Sequence, residues 1–209
     1  MNGIATLREW YPWPERKPIL EPDCDGWFCG ENQTVLKRLL SPATRIVVEL
    51  GSWQGMSSRF IAEAAPNAVV VCVDHWLGST EHHLVPEWRS RLPTLFDTFL
   101  SNLWEFRTRV IPMRTTSLNA LRELAELRVR PDLIYIDAAH DEESVYRDAC
   151  AALQFPAAWL VGDDATWETV EAGYRRAVRE LNDRMPDVAS RVEVIADGPC
   201  WSLPPRIAL

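Results

Sequence analysis

Asp132-Leu-Ile-Tyr-Ile-Asp137-Ala-Ala-His140 and Trp159-Leu-Val-Gly-Asp163-Asp164 are apolar runs that end abruptly in acid. A strand buried on both faces reads as a continuous apolar run, which points to a parallel sheet. In open α/β sheets, ligands bind outside the carboxyl ends of such strands. Asp137, Asp163 and Asp164 are therefore expected at one sheet edge, with His140 just beyond. Three gathered carboxylates repel one another unless a cation sits among them. Oxygen ligands suit a hard divalent ion such as Mg²⁺ or Ca²⁺.

Outward from these runs, strand and helix patterns alternate. Strands are expected at 45–50, 68–74, 109–113, 133–137 and 158–162. Helices are expected at 32–40, 57–65, 87–104, 118–127, 142–153 and 167–182, and residues 75–86 read as a loop. Residues 192–195 and 200–203 read as a closing antiparallel pair with Asp197-Gly198 as its turn. The alternation predicts an α/β fold: a doubly wound, mostly parallel, Rossmann-like sheet of seven strands with a C-terminal antiparallel pair. Residues 1–30 are rich in Pro and Trp and read as an irregular arm or lid. Residues 31–209 read as a single domain.

Composition narrows the function. The chain has 209 residues, 47% hydrophobic and 25% charged, with a formal net charge of −8. Such an acidic chain is a poor partner for nucleic acid or an anionic membrane surface. Nothing approaches an apolar run of roughly 18 residues, so no membrane span is expected. The N-terminus lacks a signal-peptide apolar core, so the expected location is cytoplasmic. The five cysteines are scattered. Cys24 and Cys29 have no matching Cys/His pair, which argues against zinc. Among the ten tryptophans, Trp53 and Trp76 have the strongest claim as pocket walls for a flat ligand.

The segment Val47-Val-Glu49-Leu-Gly51-Ser52-Trp53-Gln-Gly55-Met-Ser57 reads as a strand, a glycine turn and a helix start. Gly51 permits a tight turn, and Gly55 lets a ligand approach the backbone. Asp74 ends the next strand, where an acid accepts hydrogen bonds from ribose hydroxyls. Glu49 is placed to meet the positive end of a ligand. The spacing is not Gly-x-Gly-x-x-Gly, which argues against a nicotinamide dinucleotide. The structural alternative makes Gly51 and Gly55 mere turn residues and Asp74 a strand-end cap.

The segment Val-Val-Glu-Leu-Gly-Ser-Trp-Gln-Gly resembles the first motif of class I S-adenosylmethionine-dependent methyltransferases. Val-Cys-Val-Asp74-His75-Trp76 resembles their second motif. The two acid-ended runs resemble their fourth and fifth strand ends. The resemblance spans residues 46–201 and is nearest to metal-dependent small-molecule O-methyltransferases of the catechol and macrocin type. It implies S-adenosylmethionine bound through Glu49, Gly51, Ser52, Trp53, Gly55, Ser57, Asp74, His75, Trp76, Thr116, Ser117 and Asp137. Thr116 and Ser117 border the adenine in that reading, or simply cap the helix from Leu118. It also implies Mg²⁺ held by Asp137, Asp163 and Asp164, with a hydroxyl-bearing small molecule as acceptor. The catechol type carries a Lys base three residues past its first metal Asp, where this chain has His140. His140 and Asp137 are thus the candidate catalytic residues, His140 as base. The bland alternatives are a structural His140 and an Asp163-Asp164 pair that caps the next helix. His82 and His83 read as lid or solvent residues. A catalytically silent cofactor-binding module and an oxidoreductase on a similar sheet stay open, as does a homodimer.

Overall fold

The computed structural model describes residues 3–23, 25–184 and 191–206. Cys24 lies outside them. Five parallel strands form the sheet's centre: β1 (Ile46–Leu50), β2 (Val69–Asp74), β3 (Val110–Arg114), β4 (Leu133–Ile136) and β5 (Trp159–Gly162). Then β6 (Ile195–Asp197) and β7 (Cys200–Leu203) close one side. The order is β3-β2-β1-β4-β5-β7-β6, with β7 antiparallel to both neighbours. The expected seven-stranded, mostly parallel sheet is present.

Register aligns the strand ends. Leu50 pairs with Val73 and Ile136, and Ile136 pairs with Gly162. The residues that follow β1, β2, β4 and β5 therefore emerge on one edge. The order reverses beside β1, which has β2 on one flank and β4 on the other. This is the switch point at which doubly wound sheets open a crevice.

Within each apolar run the side chains still alternate. Val48, Leu50, Ile134 and Ile136 enter a core shared with α1 (Gly3–Trp10), α7 (Ser117–Glu126), α8 (Glu142–Ala152) and α9 (Glu168–Asp183). Val47, Leu133 and Tyr135 enter the opposite core, built with α2 (Gly30–Leu39), α3 (Met56–Ala64) and α6 (Leu95–Asn102). Burial on both faces is why the runs lack a polar period.

Four expectations change. The helix expected at 87–104 is broken into α5 (Pro86–Arg91), a 3₁₀ turn at Leu92–Thr94, and α6. Pro93 has no N–H to donate and its ring crowds the preceding turn. The loop expected at 75–86 contains α4 (Thr80–Leu84), opened by Ser79, whose hydroxyl lies 2.9 Å from His82 Nδ1. The N-terminal segment is not irregular throughout: α1 buries Leu7 completely. The closing hairpin is shifted, because Asp197 pairs with Cys200 and leaves Gly198-Pro199 as the turn, with Gly198 at φ 61°. Val192 is held instead by Asn182, whose side chain bonds its N–H and C=O at 2.8 and 2.9 Å.

Candidate active site

The carboxyl edge of the sheet opens into a cavity of about 620 Å³. Its floor is the turn after β1. Gly51 adopts φ 90°, and a Cβ there would lie 1.8 Å from the Asp137 carbonyl oxygen. Glycine at this position lets the β1 and β4 ends pass each other. Gly55 (φ 91°) differs from its expected role. It does not border the cavity, and a Cβ on it would lie 2.2 Å from Leu103 Cδ2, so it makes room for α6 packing rather than for a ligand.

Glu49 is likewise displaced from the role expected of it. It is fully buried beneath the turn, outside the cavity wall, and accepts hydrogen bonds from Ser52 and Ser58. Burial pushes its carboxyl above the ordinary range, against the lowering effect of the serines. It ties the turn to α3. Ser52, Trp53 and Ser57 do border the cavity.

Asp74, at the end of β2, accepts from the backbone N–H of Trp53 at 2.9 Å and of Trp76 at 2.6 Å. Burial raises its pKa and these amides oppose the rise. His75 lies 3.7 Å away, and both residues border the cavity. Trp76 does not. It is 1% exposed, donates to the Trp53 carbonyl at 2.8 Å, and packs on Phe96 and Phe99. It is core, not pocket wall. Thr116 caps α7 by accepting from Asn119 N–H at 3.4 Å, and with Ser117 it also borders the cavity. Capping and lining are compatible here.

At the other end, Asp137, His140 and Asp164 each offer one ligating atom, all within 4.8 Å of one another. His140 Nε2 lies 3.0 Å from Asp164, and its Nδ1 lies 3.5 Å from Glu81 of α4. The hydrogen bond to Asp164 raises the His140 pKa to about 9, with burial opposing. Burial, then the charges of Asp163 and Asp164, push the Asp137 carboxyl well up. Asp163 borders the cavity but is tied down: Tyr135 donates to Oδ2 at 2.9 Å, and Asp164 N–H donates to Oδ1 at 2.7 Å. The three acids do converge, yet the closest set replaces Asp163 with His140. Neither acid caps α9, whose N-cap is Trp167.

The arm, expected as a lid, contributes Asp25, Gly26, Trp27 and Phe28 to the wall, although none of these was singled out as a site residue. Trp27 meets Trp88 edge-on at 5.0 Å, and His82 stacks on Trp53 at 4.1 Å. Arg91 pins Asp25 at 2.7 Å. Asp148 on α8 was also missed. Its signal was legible: an acid among Val145, Ala149 and Ala152 on the core-facing side of a helix.

The switch-point cavity thus carries an acid at the end of β2 and an acidic-imidazole cluster beyond β4 and β5, at the edge where doubly wound sheets take ligands. A family model described as "Methyltransferase domain" matches residues 48–165, more than half of the chain. The chain belongs to this family and is a class I S-adenosylmethionine-dependent methyltransferase. No curated protein matches significantly. Among solved structures, a Bacillus cereus O-methyltransferase in complex with S-adenosylhomocysteine is 20% identical, covering 82% of this chain and 77% of that one, TM-score 0.57. TomG from Streptomyces achromogenes, an O-methyltransferase of tomaymycin synthesis, is 19% identical over 83% and 77%, TM-score 0.55. CalS11, the TDP-rhamnose 3'-O-methyltransferase of calicheamicin biosynthesis, is 17% identical over 82% and 76%, TM-score 0.51. Likeness at these identities establishes a shared fold. Among the described residues, no helix is long and apolar enough to cross a membrane.

Proposed function

We propose that the chain transfers a methyl group from S-adenosylmethionine to a hydroxyl of a small molecule, with the help of a divalent cation, in the cytoplasm. The observation that carries this reading is that Asp74 and the Asp137–His140–Asp164 cluster face one cavity from opposite ends. The ribose hydroxyls fall to Asp74. The sulfonium then lies toward Asp137, where its positive charge meets the acids. The arm and Trp53 cover the mouth and exclude water.

The cluster fits a divalent ion. Asp137 and Asp164 offer ligating oxygens in one place beside His140, and Asp163 and Asp164 both push up the Asp137 pKa, a repulsion that a cation relieves. Asp137 and Asp164 would hold it, with Asp163 behind them, and Mg²⁺ suits such carboxylates. When bound, the ion lowers the pKa of a hydroxyl beside it. The hydrogen bond to Asp164 raises the His140 pKa to about 9, which favours the charged, donating form of the imidazole. It becomes a base for the acceptor hydroxyl when the Asp164 charge is engaged elsewhere. Alignment of acceptor oxygen and methyl carbon supplies roughly 7–11 kcal/mol of the barrier.

Methyl transfer from labelled S-adenosylmethionine to a panel of small hydroxyl compounds tests this. Turnover is expected to vanish in chelator and return with Mg²⁺. Asp164→Ala should slow it by at least about ten- to a hundredfold while cofactor binding persists. Full turnover in chelator, with Asp163→Ala and Asp164→Ala both active, would show that the acids are structural.

A further inference from the structure

Past Asp74 the cavity runs toward the end of β3. It is closed there by Thr116 and Ser117 at the start of α7 and by one face of α8, which presents Ser144, Arg147 and Asp148. Asp148 is 7% exposed and shares its side of the helix with the core residues Val145, Ala149 and Ala152. A carboxylate on such a face is costly unless hydrogen-bonded. Ser117 hydrogen-bonds it, and its neighbour Arg147 turns away to Glu143 at 2.8 Å. A hydroxyl supplies one proton, whereas a carboxylate accepts at about four lone-pair sites. Asp148 thus keeps acceptor capacity at the cavity wall.

The ligand's orientation follows from the two ends of the site. The methyl group must reach the Asp137–His140–Asp164 cluster, on the β4 side of Asp74. With the ribose on Asp74, the base extends to the β3 side, where Ser117 and Asp148 close the cavity.

We propose that Asp148 is the residue that reads the base: its carboxylate accepts a hydrogen bond from the exocyclic amine of adenine and sets the preference for a 6-amino purine. This rests on the S-adenosylmethionine reading above. The burial of Asp148 then has a functional return, because the amine donor offsets the cost of an ionised carboxylate in the wall.

Calorimetric titration with S-adenosylhomocysteine and its 6-unsubstituted purine analogue, against the full chain and its Asp148→Ala and Asp148→Asn variants, tests the proposal. In the unaltered protein, loss of the amine is expected to weaken binding about ten- to a hundredfold, the value of a charge-assisted hydrogen bond. The Ala variant should lose that discrimination. The Asn variant should keep part of it, since an amide oxygen accepts without charge. An undiminished penalty in Asp148→Ala overturns the proposal while leaving the cofactor reading intact. If the Ala variant does not fold, an undiminished penalty in Asp148→Asn has the same meaning. Failure of the unaltered protein to bind either compound overturns the cofactor reading and this inference with it.

Discussion

At the scale of single residues, the buried Asp148 carries a cost that depends on pH. Burial pushes the Asp148 carboxyl up to about 6, against the Ser117 hydrogen bond. The unfolded chain titrates this group near 4, as any exposed aspartate does. The folded pKa is the higher one, so the contribution to stability is fully present below about pH 4 and is lost as the pH rises through 6. Two pH units correspond to about 3 kcal/mol. Asp148→Asn keeps the shape and removes the ionisation. Without ligand, its melting temperature should equal that of the unaltered protein near pH 4 and exceed it increasingly up to pH 7. Calorimetric melts across that range check this, and a difference that does not grow with pH would remove burial as the cause. Glu49 shows another use of a buried acid: its Oε2 accepts from Ser52 and Ser58 and fastens the turn, while its Oε1 is buried without a hydrogen-bond partner among the described residues.

At the scale of elements, the arm and the α4–α5 segment are tied together along one wall of the cavity. Arg91 of α5 pairs with Asp25 of the arm, and Asn102 of α6 bonds Asp23 at its N–H and C=O, at 2.9 and 2.8 Å. Trp27 stands over this junction, 57% exposed. Its removal takes little from the core, so Trp27→Ala should change stability by no more than about 0.5 kcal/mol. The lost wall should raise the acceptor KM about two- to tenfold, the worth of an aromatic contact. Steady-state kinetics together with a thermal melt separate the two effects. Unchanged KM and unchanged cofactor affinity would reduce Trp27 to surface cover. This wall is built from short helices because Pro93 interrupts what the apolar spacing alone would run as one long helix.

At the scale of the whole molecule, the N-terminal segment is both cover and core. Leu7 is fully buried in the cluster under α7, Tyr11 donates to Glu123 at 2.8 Å, and Trp13 donates to the Val110 carbonyl at 2.8 Å. A buried leucine alone is worth about 2–5 kcal/mol, against a total of about 5–15 for a typical domain. Deleting residues 1–20 should therefore lower the melting temperature steeply, and any loss of cofactor binding should follow the loss of fold. Circular dichroism melts and cofactor titration on the truncated chain decide it. A truncated protein that melts normally but no longer binds would make the segment a lid alone.

The mostly parallel sheet with its antiparallel closing pair, the edge on which the acids gather and the acid that ends β2 were legible from the sequence. Apolar runs bounded by acids report burial on both faces, and burial of that kind requires a parallel sheet covered by helices. The break at Pro93 and the Gly198-Pro199 turn also lay in local chemistry, although periodicity alone reads past them. Which side chains face the cavity was decided only by tertiary structure. Glu49, Gly55 and Trp76 sit one or two positions from true wall residues, and a β-turn or a single pleat turns them into the core. Asp163 and Asp164 are adjacent in the chain, yet Tyr135 from the neighbouring strand holds one while His140 holds the other. Partners such as these come from elements far apart in sequence, so packing, not local pattern, selects which acid reaches the reaction centre.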